Sequence, residues 1–157
     1  MEYEIQFTAV SPYLYGKRVS VETFQKGKMG KYAKEMFRGI HRLNLCERLF
    51  HFRVLTLEEI GFSGPATYFE IKRSLRENLL APLSLEASLF LASTHWNWRK
   101  PEGIDIKFFM NPIETLYGYM GYMIKDPGYM LDGYEIGNTW FYPHEVFVFS
   151  HVKPELN

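Results

Sequence analysis

The chain has 157 residues, enough for one domain with a substantial core and too few for a second catalytic domain of ordinary size, so a single domain over residues 1–157 is expected. Its 18 Lys and Arg balance 18 Asp and Glu, so the net charge is zero and any polyanion-binding surface must be a local patch. A lone cysteine, Cys46, excludes an internal disulfide and a cysteine-based zinc site, and no stretch approaches the roughly 20 apolar residues of a membrane span.

These features, with a start that lacks a basic region before an apolar run, lead to the expectation of a cytoplasmic protein with no membrane partner. Aromatic residues reach 17%, which implies a core built on rings or a surface that presents rings to flat ligands.

Tyr3 to Val10 alternates apolar and polar positions until Ser11-Pro12 and predicts a strand. Tyr13 to Gly30 has little periodicity and three glycines, and predicts a loop. Lys31 to Leu49 places Tyr32, Met36, Ile40, Leu43 and Leu45 among basic residues, the pattern of an amphipathic helix. Between Lys26 and Arg48 stand seven Lys or Arg against Glu35 and Glu47. A solvated helix face explains that excess, and so does a phosphate-facing surface.

Phe50 to Leu57 predicts a strand, Glu58 to Pro65 a turn, and Ala66 to Ile71 a second strand pairing with the first. Ser74 to Leu80 predicts a short helix. Leu85 to Ala92 alternates enough to predict a strand, Ile104 to Met110 predicts another, and Phe141 to Val152 a last one. Between these, Asn111 to Pro127 reads as a short helix: Asn111 caps, Pro112 takes the first helical position, and Glu114 follows three residues after the cap. On that helix Tyr119, Tyr122 and Lys125 would form one ridge, either packing or a nucleophile beside a cation.

The result is an α+β plan: a central, mostly antiparallel sheet of about five strands flanked by about two or three helices.

This order of elements resembles the rolling-circle replication initiators of the HUH endonuclease superfamily, over about residues 3 to 133. Gln6-Phe-Thr-Ala-Val-Ser-Pro12 is similar to the family's first motif, and Tyr122-Met-Ile-Lys125 to its Tyr-x-x-Lys motif. Where the family carries a metal-binding His-hydrophobe-His strand, this chain has Thr67, Tyr68 and Phe69.

The resemblance implies a plasmid or viral protein that nicks single-stranded DNA at an origin. Tyr122, with Tyr119 as second candidate, would attack a phosphodiester to give a 5′-phosphotyrosine, and Lys125 would steady the phenolate or phosphate. Mg²⁺ or Mn²⁺ would polarise the phosphate, with Glu58, Glu70 and His51 as candidate ligands in place of the missing histidines. A catalytically inactive relative is the alternative, binding single-stranded DNA or RNA through Lys28, Lys31, Lys34, Arg38, Arg42, Trp96, Trp98 and Arg99. A third reading is an interaction module or homo-oligomer with an aromatic interface. No phosphate-loop, nucleophile-elbow or zinc-helix motif is present.

Overall fold

A computed structural model describes residues 3–7, 30–37, 50–85, 87–88, 91, 103–125 and 130–152. The expected loop before Gly30, the second half of the helix begun at Lys31 and the end of the segment Asn111 to Pro127 lie outside the described residues.

The strands of the principal sheet are β1 (Tyr3–Phe7), β2 (Phe50–Thr56), β4 (Leu80–Ala81), β5 (Ile106–Phe108), β6 (Ile113–Thr115), β7 (Gly118–Lys125), β8 (Met130–Glu135) and β10 (Val146–His151). They form an eight-stranded sheet in the order β1-β2-β10-β5-β7, with β4 beside the far end of β10 and β8 beside β7. Every pairing is antiparallel except β10 with β5. The α+β plan with a mostly antiparallel central sheet is therefore present.

β5 and β6 share one edge of β7, since β8 fills the other: Met123 has Lys107 and Asp132 as partners, and Met120 has Ile113 and Glu135. The two short strands act as one strand broken at Phe109 to Pro112, a segment that a proline without an N–H could not continue in ladder. A small ribbon, β3 (Ala66–Thr67) with β9 (Trp140–Phe141), stands apart from the sheet.

Both faces of the sheet are buried. Phe52, Val54, Ile106, Phe108, Met120, Tyr122, Ile124 and Val148 face one core, closed by Ala33 and Met36 of α1 (Lys31–Phe37) and by Ala87 and Leu91. Leu55, Met123, Tyr134, Phe147 and Phe149 face the other, closed by Tyr68 and Ile71 of α2 (Tyr68–Ser74) and by Ala66 and Phe141 of the ribbon. A sheet covered on both faces produces continuous apolar strands rather than alternating ones. β7 shows this: all five residues from Met120 to Ile124 are buried.

That pattern explains the principal correction. Asn111 to Lys125 is not a capped helix but the β6–β7 hairpin, turned at Leu116-Tyr117. Thr115 Oγ1 donates to the Gly118 carbonyl at 2.9 Å and accepts from the Tyr117 amide at 3.0 Å, while Gly118 takes φ 101°, the bulge position that glycine fills without strain. Gly118 and Gly121 would each cost a helix about 1 kcal/mol relative to alanine, and the sheet neighbours win.

Three further expectations change. The strand expected over Ala66 to Ile71 is β3 followed at once by α2, and β2 pairs with β1 and β10 instead of with it. The cause is a capping box: Thr67 Oγ1 accepts from the Glu70 amide at 3.3 Å, and Glu70 Oε1 accepts from the Thr67 amide at 3.3 Å. The helix expected over Ser74 to Leu80 is reduced to a 3-10 turn, Arg76–Asn78, closed by Leu79 at φ 56°. The strand expected over Leu85 to Ala92 is helical at Leu85, Ala87, Ser88 and Leu91, where Ser84 Oγ accepts from the Ala87 amide at 3.0 Å as an N-cap.

Candidate nucleic-acid interface

β7 separates the residues that a helix would have aligned. Side chains alternate along a strand, so positions three apart lie on opposite faces. Tyr122 points into the core beneath α1, whereas Tyr119 and Lys125 share the other parity and are exposed.

Tyr122 is 0% exposed, and its amide donates to Met110 Sδ at 3.3 Å. Burial pushes its phenol well above the ordinary tyrosine range, so the phenolate that a nucleophile requires is disfavoured there. Tyr119, 53% exposed, lies beside the hairpin turn, and its carbonyl accepts from the Ile136 amide at 2.8 Å. Lys125 stands at the opposite end of the strand, paired in register with Met130.

Two other phenols are fixed in the second core. Tyr134 donates to the Phe108 carbonyl at 2.6 Å and Tyr68 to the Met110 carbonyl at 3.1 Å. Burial raises both pKa values, and for Tyr134 the nearby Tyr68 and Glu145 add to the effect. Glu145 is held by Lys107 at 2.9 Å and by the Tyr142 amide at 2.6 Å.

Unfolded tyrosine ionises near about pH 10, and Tyr68, Tyr122 and Tyr134 ionise higher when folded. Their protonated forms favour the fold fully below that pH, and this advantage is lost as pH rises towards their folded values. Alkaline titration followed by circular dichroism and phenolate absorbance should show these three phenols ionising together with unfolding. Their ionisation in a chain that keeps its native dichroism would contradict their burial.

The candidate metal ligands stand on three different elements. Glu70 is committed to the cap of α2, its Oε1 also accepting from Thr67 Oγ1 at 3.0 Å. Glu58 is exposed at the start of a 3-10 turn, its amide donating to the Pro143 carbonyl at 2.9 Å. His51 lies on β2 opposite Gln6. Among the described residues no three His, Cys, Asp or Glu side chains group as a metal site, and the side chain of His51 lies outside them.

Of the expected nucleic-acid contacts, Lys31 and Lys34 are exposed on α1, and Lys28, Arg38, Arg42, Trp96, Trp98 and Arg99 lie outside the described residues. α1 brings Lys31 to a pair of rings. The Tyr32 and Tyr117 centroids are 5.0 Å apart and nearly perpendicular, at 85°. Lys31 Nζ stands 5.0 Å from the centre of Tyr117 and 5.8 Å from that of Tyr32. Tyr32 is 37% exposed, Tyr117 44%, and Leu116 beside it 82%.

This cluster is built by packing far from it in sequence. The Gly30 amide donates to the Leu131 carbonyl at 2.7 Å, and the buried Asp132 accepts at Oδ1 from the Tyr32 amide at 3.2 Å. A Cβ on Gly30 would overlap the Asp132 carboxyl group, so the close approach of α1 to β8 requires glycine there. Neither Tyr117 nor the pairing of Tyr32 with it was singled out by the sequence. The available signal was Thr115-Leu-Tyr-Gly118, a turn ending in glycine between two segments rich in strand formers.

The fold and the site thus define an α+β protein with both sheet faces covered and an exposed aromatic–lysine cluster at one hairpin. Comparison with protein-family models, with curated proteins and with solved structures returned no match. No helix among the described residues is long and apolar enough to cross a membrane.

Proposed function

We propose that this protein binds single-stranded DNA or RNA non-covalently at the surface formed by α1 and the β6–β7 turn. The observation that carries the reading is a lysine ammonium poised over two exposed tyrosine rings. An unpaired base can stack on a ring for about 1–3 kcal/mol, while the ammonium neutralises the adjoining phosphate. Lys34, three residues on from Lys31 along the exposed helix, extends the positive charge. Nicking by Tyr122 is less well supported, because its buried phenol would have to leave the core to reach a phosphodiester.

The test is fluorescence anisotropy of a labelled oligothymidylate over a salt series. Two phosphate contacts, by Lys31 and Lys34, give a log–log slope near about −1.4, so affinity should fall about sevenfold over a fourfold rise in salt. Tyr122→Phe should leave the isotherm unchanged. Absence of binding at low salt would remove the proposal. A covalent DNA adduct formed with Mn²⁺ and lost in Tyr122→Phe would restore the nicking reading.

A further inference from the structure

Taking nucleic-acid binding at α1 as the starting point, we infer that the exposed side of α2 is a second phosphate-binding face, so that one molecule holds two single strands on opposite sides of its sheet. α1 closes one core and α2 the other, so the sheet stands between the two helices.

The buried residues of α2 fix which side chains face out. Tyr68, Ile71 and Leu75 are buried at spacings of three and four, and Leu75 at φ −64° and ψ −40° carries the helical path on to Arg76. At 3.6 residues per turn, Phe69, Lys72, Arg73 and Arg76 then fall together on the outer side. All four are exposed.

Their charges are not spent within the chain. Among the described residues, none of the three cations is in an ion pair, although Glu70 stands three residues before Arg73 and Glu77 four residues after it. Glu70 accepts instead from the Thr67 amide at 3.3 Å and the Thr67 hydroxyl at 3.0 Å. Phe69, 64% exposed, is held in place: it meets Tyr68 edge-on at 5.5 Å and 83°, and Tyr68 donates to the Met110 carbonyl. A fixed ring beside guanidinium groups is a platform for an unpaired base whose phosphates meet the cations.

A lipid surface is the poorer match, because interfacial helices insert several apolar side chains and Phe69 is the single large one exposed between Tyr68 and Asn78. The α1 cluster offers two rings where α2 offers one. One additional stacked base makes the α1 site about five- to 150-fold tighter, so it fills first.

The test mixes donor- and acceptor-labelled oligothymidylates, which cannot pair with each other, with the full chain. Energy transfer between them is expected to rise with protein concentration and then fall, as excess protein gives each strand its own molecule. Combined Lys72→Gln, Arg73→Gln and Arg76→Gln substitutions should weaken the second site about tenfold or more, and Phe69→Ala about fivefold or more. Both variants should keep the tighter anisotropy isotherm within about twofold and the wild-type melting transition. Binding by anisotropy without energy transfer would remove this inference and leave the α1 reading standing, whereas no binding at all would remove both. Undiminished transfer in the folded triple variant, or a wild-type dimer in light scattering that carries one strand per copy, would also overturn it. So would phosphatidylserine vesicles that abolish transfer at lower phosphate concentration than unlabelled oligothymidylate, because the face would then belong to a lipid surface.

Discussion

Replacing Phe109 by alanine is expected to lower the stability of the protein by about 3–5 kcal/mol, as loss of a fully packed aromatic ring usually does. Phe109 is 0% exposed and lies where β5 gives way to β6. Its ring stacks on Tyr68 at 4.7 Å and 12°, and it meets Phe149 at 5.4 Å and Phe147 at 6.0 Å. Its amide and carbonyl are also committed, the amide donating to Val148 at 2.9 Å and the carbonyl accepting from Leu83 at 2.7 Å. These backbone bonds limit how far the site can collapse into the cavity, which places the cost towards the upper end. Urea denaturation would measure it, with exposed Phe69→Ala as a reference expected within about 0.5 kcal/mol of wild type. A loss below about 1 kcal/mol for Phe109→Ala would mean that the second core is not packed around this ring.

Gly121→Ala should also destabilise strongly, by about 2–3 kcal/mol, through overpacking. Gly121 is paired in register with Tyr134, and a Cβ there would lie 2.8 Å from Cζ and 2.9 Å from the hydroxyl oxygen of that ring. Tyr134 cannot swing aside cheaply, because its hydroxyl is tied to the Phe108 carbonyl and its ring sits beneath Lys107, 5.9 Å from the centroid. Gly137→Ala is the matched control: nothing lies within 4 Å of its Cβ position, and a near-neutral effect is expected. Equal melting temperatures for the two variants would contradict the close contact of Gly121 with Tyr134.

The legible parts of the fold were those where local pattern and tertiary environment agree. β1, β2, β5 and β10 fall within segments whose composition already favoured strands, and α1 lies where an amphipathic helix was expected. The β6–β7 hairpin was not legible as such, because burial on both faces erases the alternation that marks a strand. What remained was tyrosine at three-residue spacing after an Asn-Pro pair, which imitates a capped helix. α2 was missed for a different reason. Its Thr67-x-x-Glu70 capping box is explicit in the sequence but was outweighed by the aromatic, strand-favouring Tyr68-Phe69.

The candidate cluster was legible in its lysines and not in its geometry. Lys31 and Lys34 were expected to face a ligand and are exposed, whereas the rings expected to stack on bases, Trp96 and Trp98, lie outside the described residues. Which ring meets which lysine depends on Gly30 and Asp132 docking α1 against β8, a contact spanning about a hundred residues of chain and invisible to any local pattern. The same separation dissolves the Tyr122–Lys125 pair: a helix would make them neighbours, while a strand sends them to opposite faces.

Ligand contact is proposed at the exposed Tyr32–Tyr117–Lys31 cluster. The most direct measurement is oligothymidylate binding by Tyr117→Ala at low salt, followed by fluorescence anisotropy. The lost stacking should weaken binding by about 1–3 kcal/mol, roughly five- to 150-fold, with the fold intact because Tyr117 is a turn residue 44% exposed. Wild-type affinity in a folded Tyr117→Ala would contradict the claim and place the contact elsewhere on the protein.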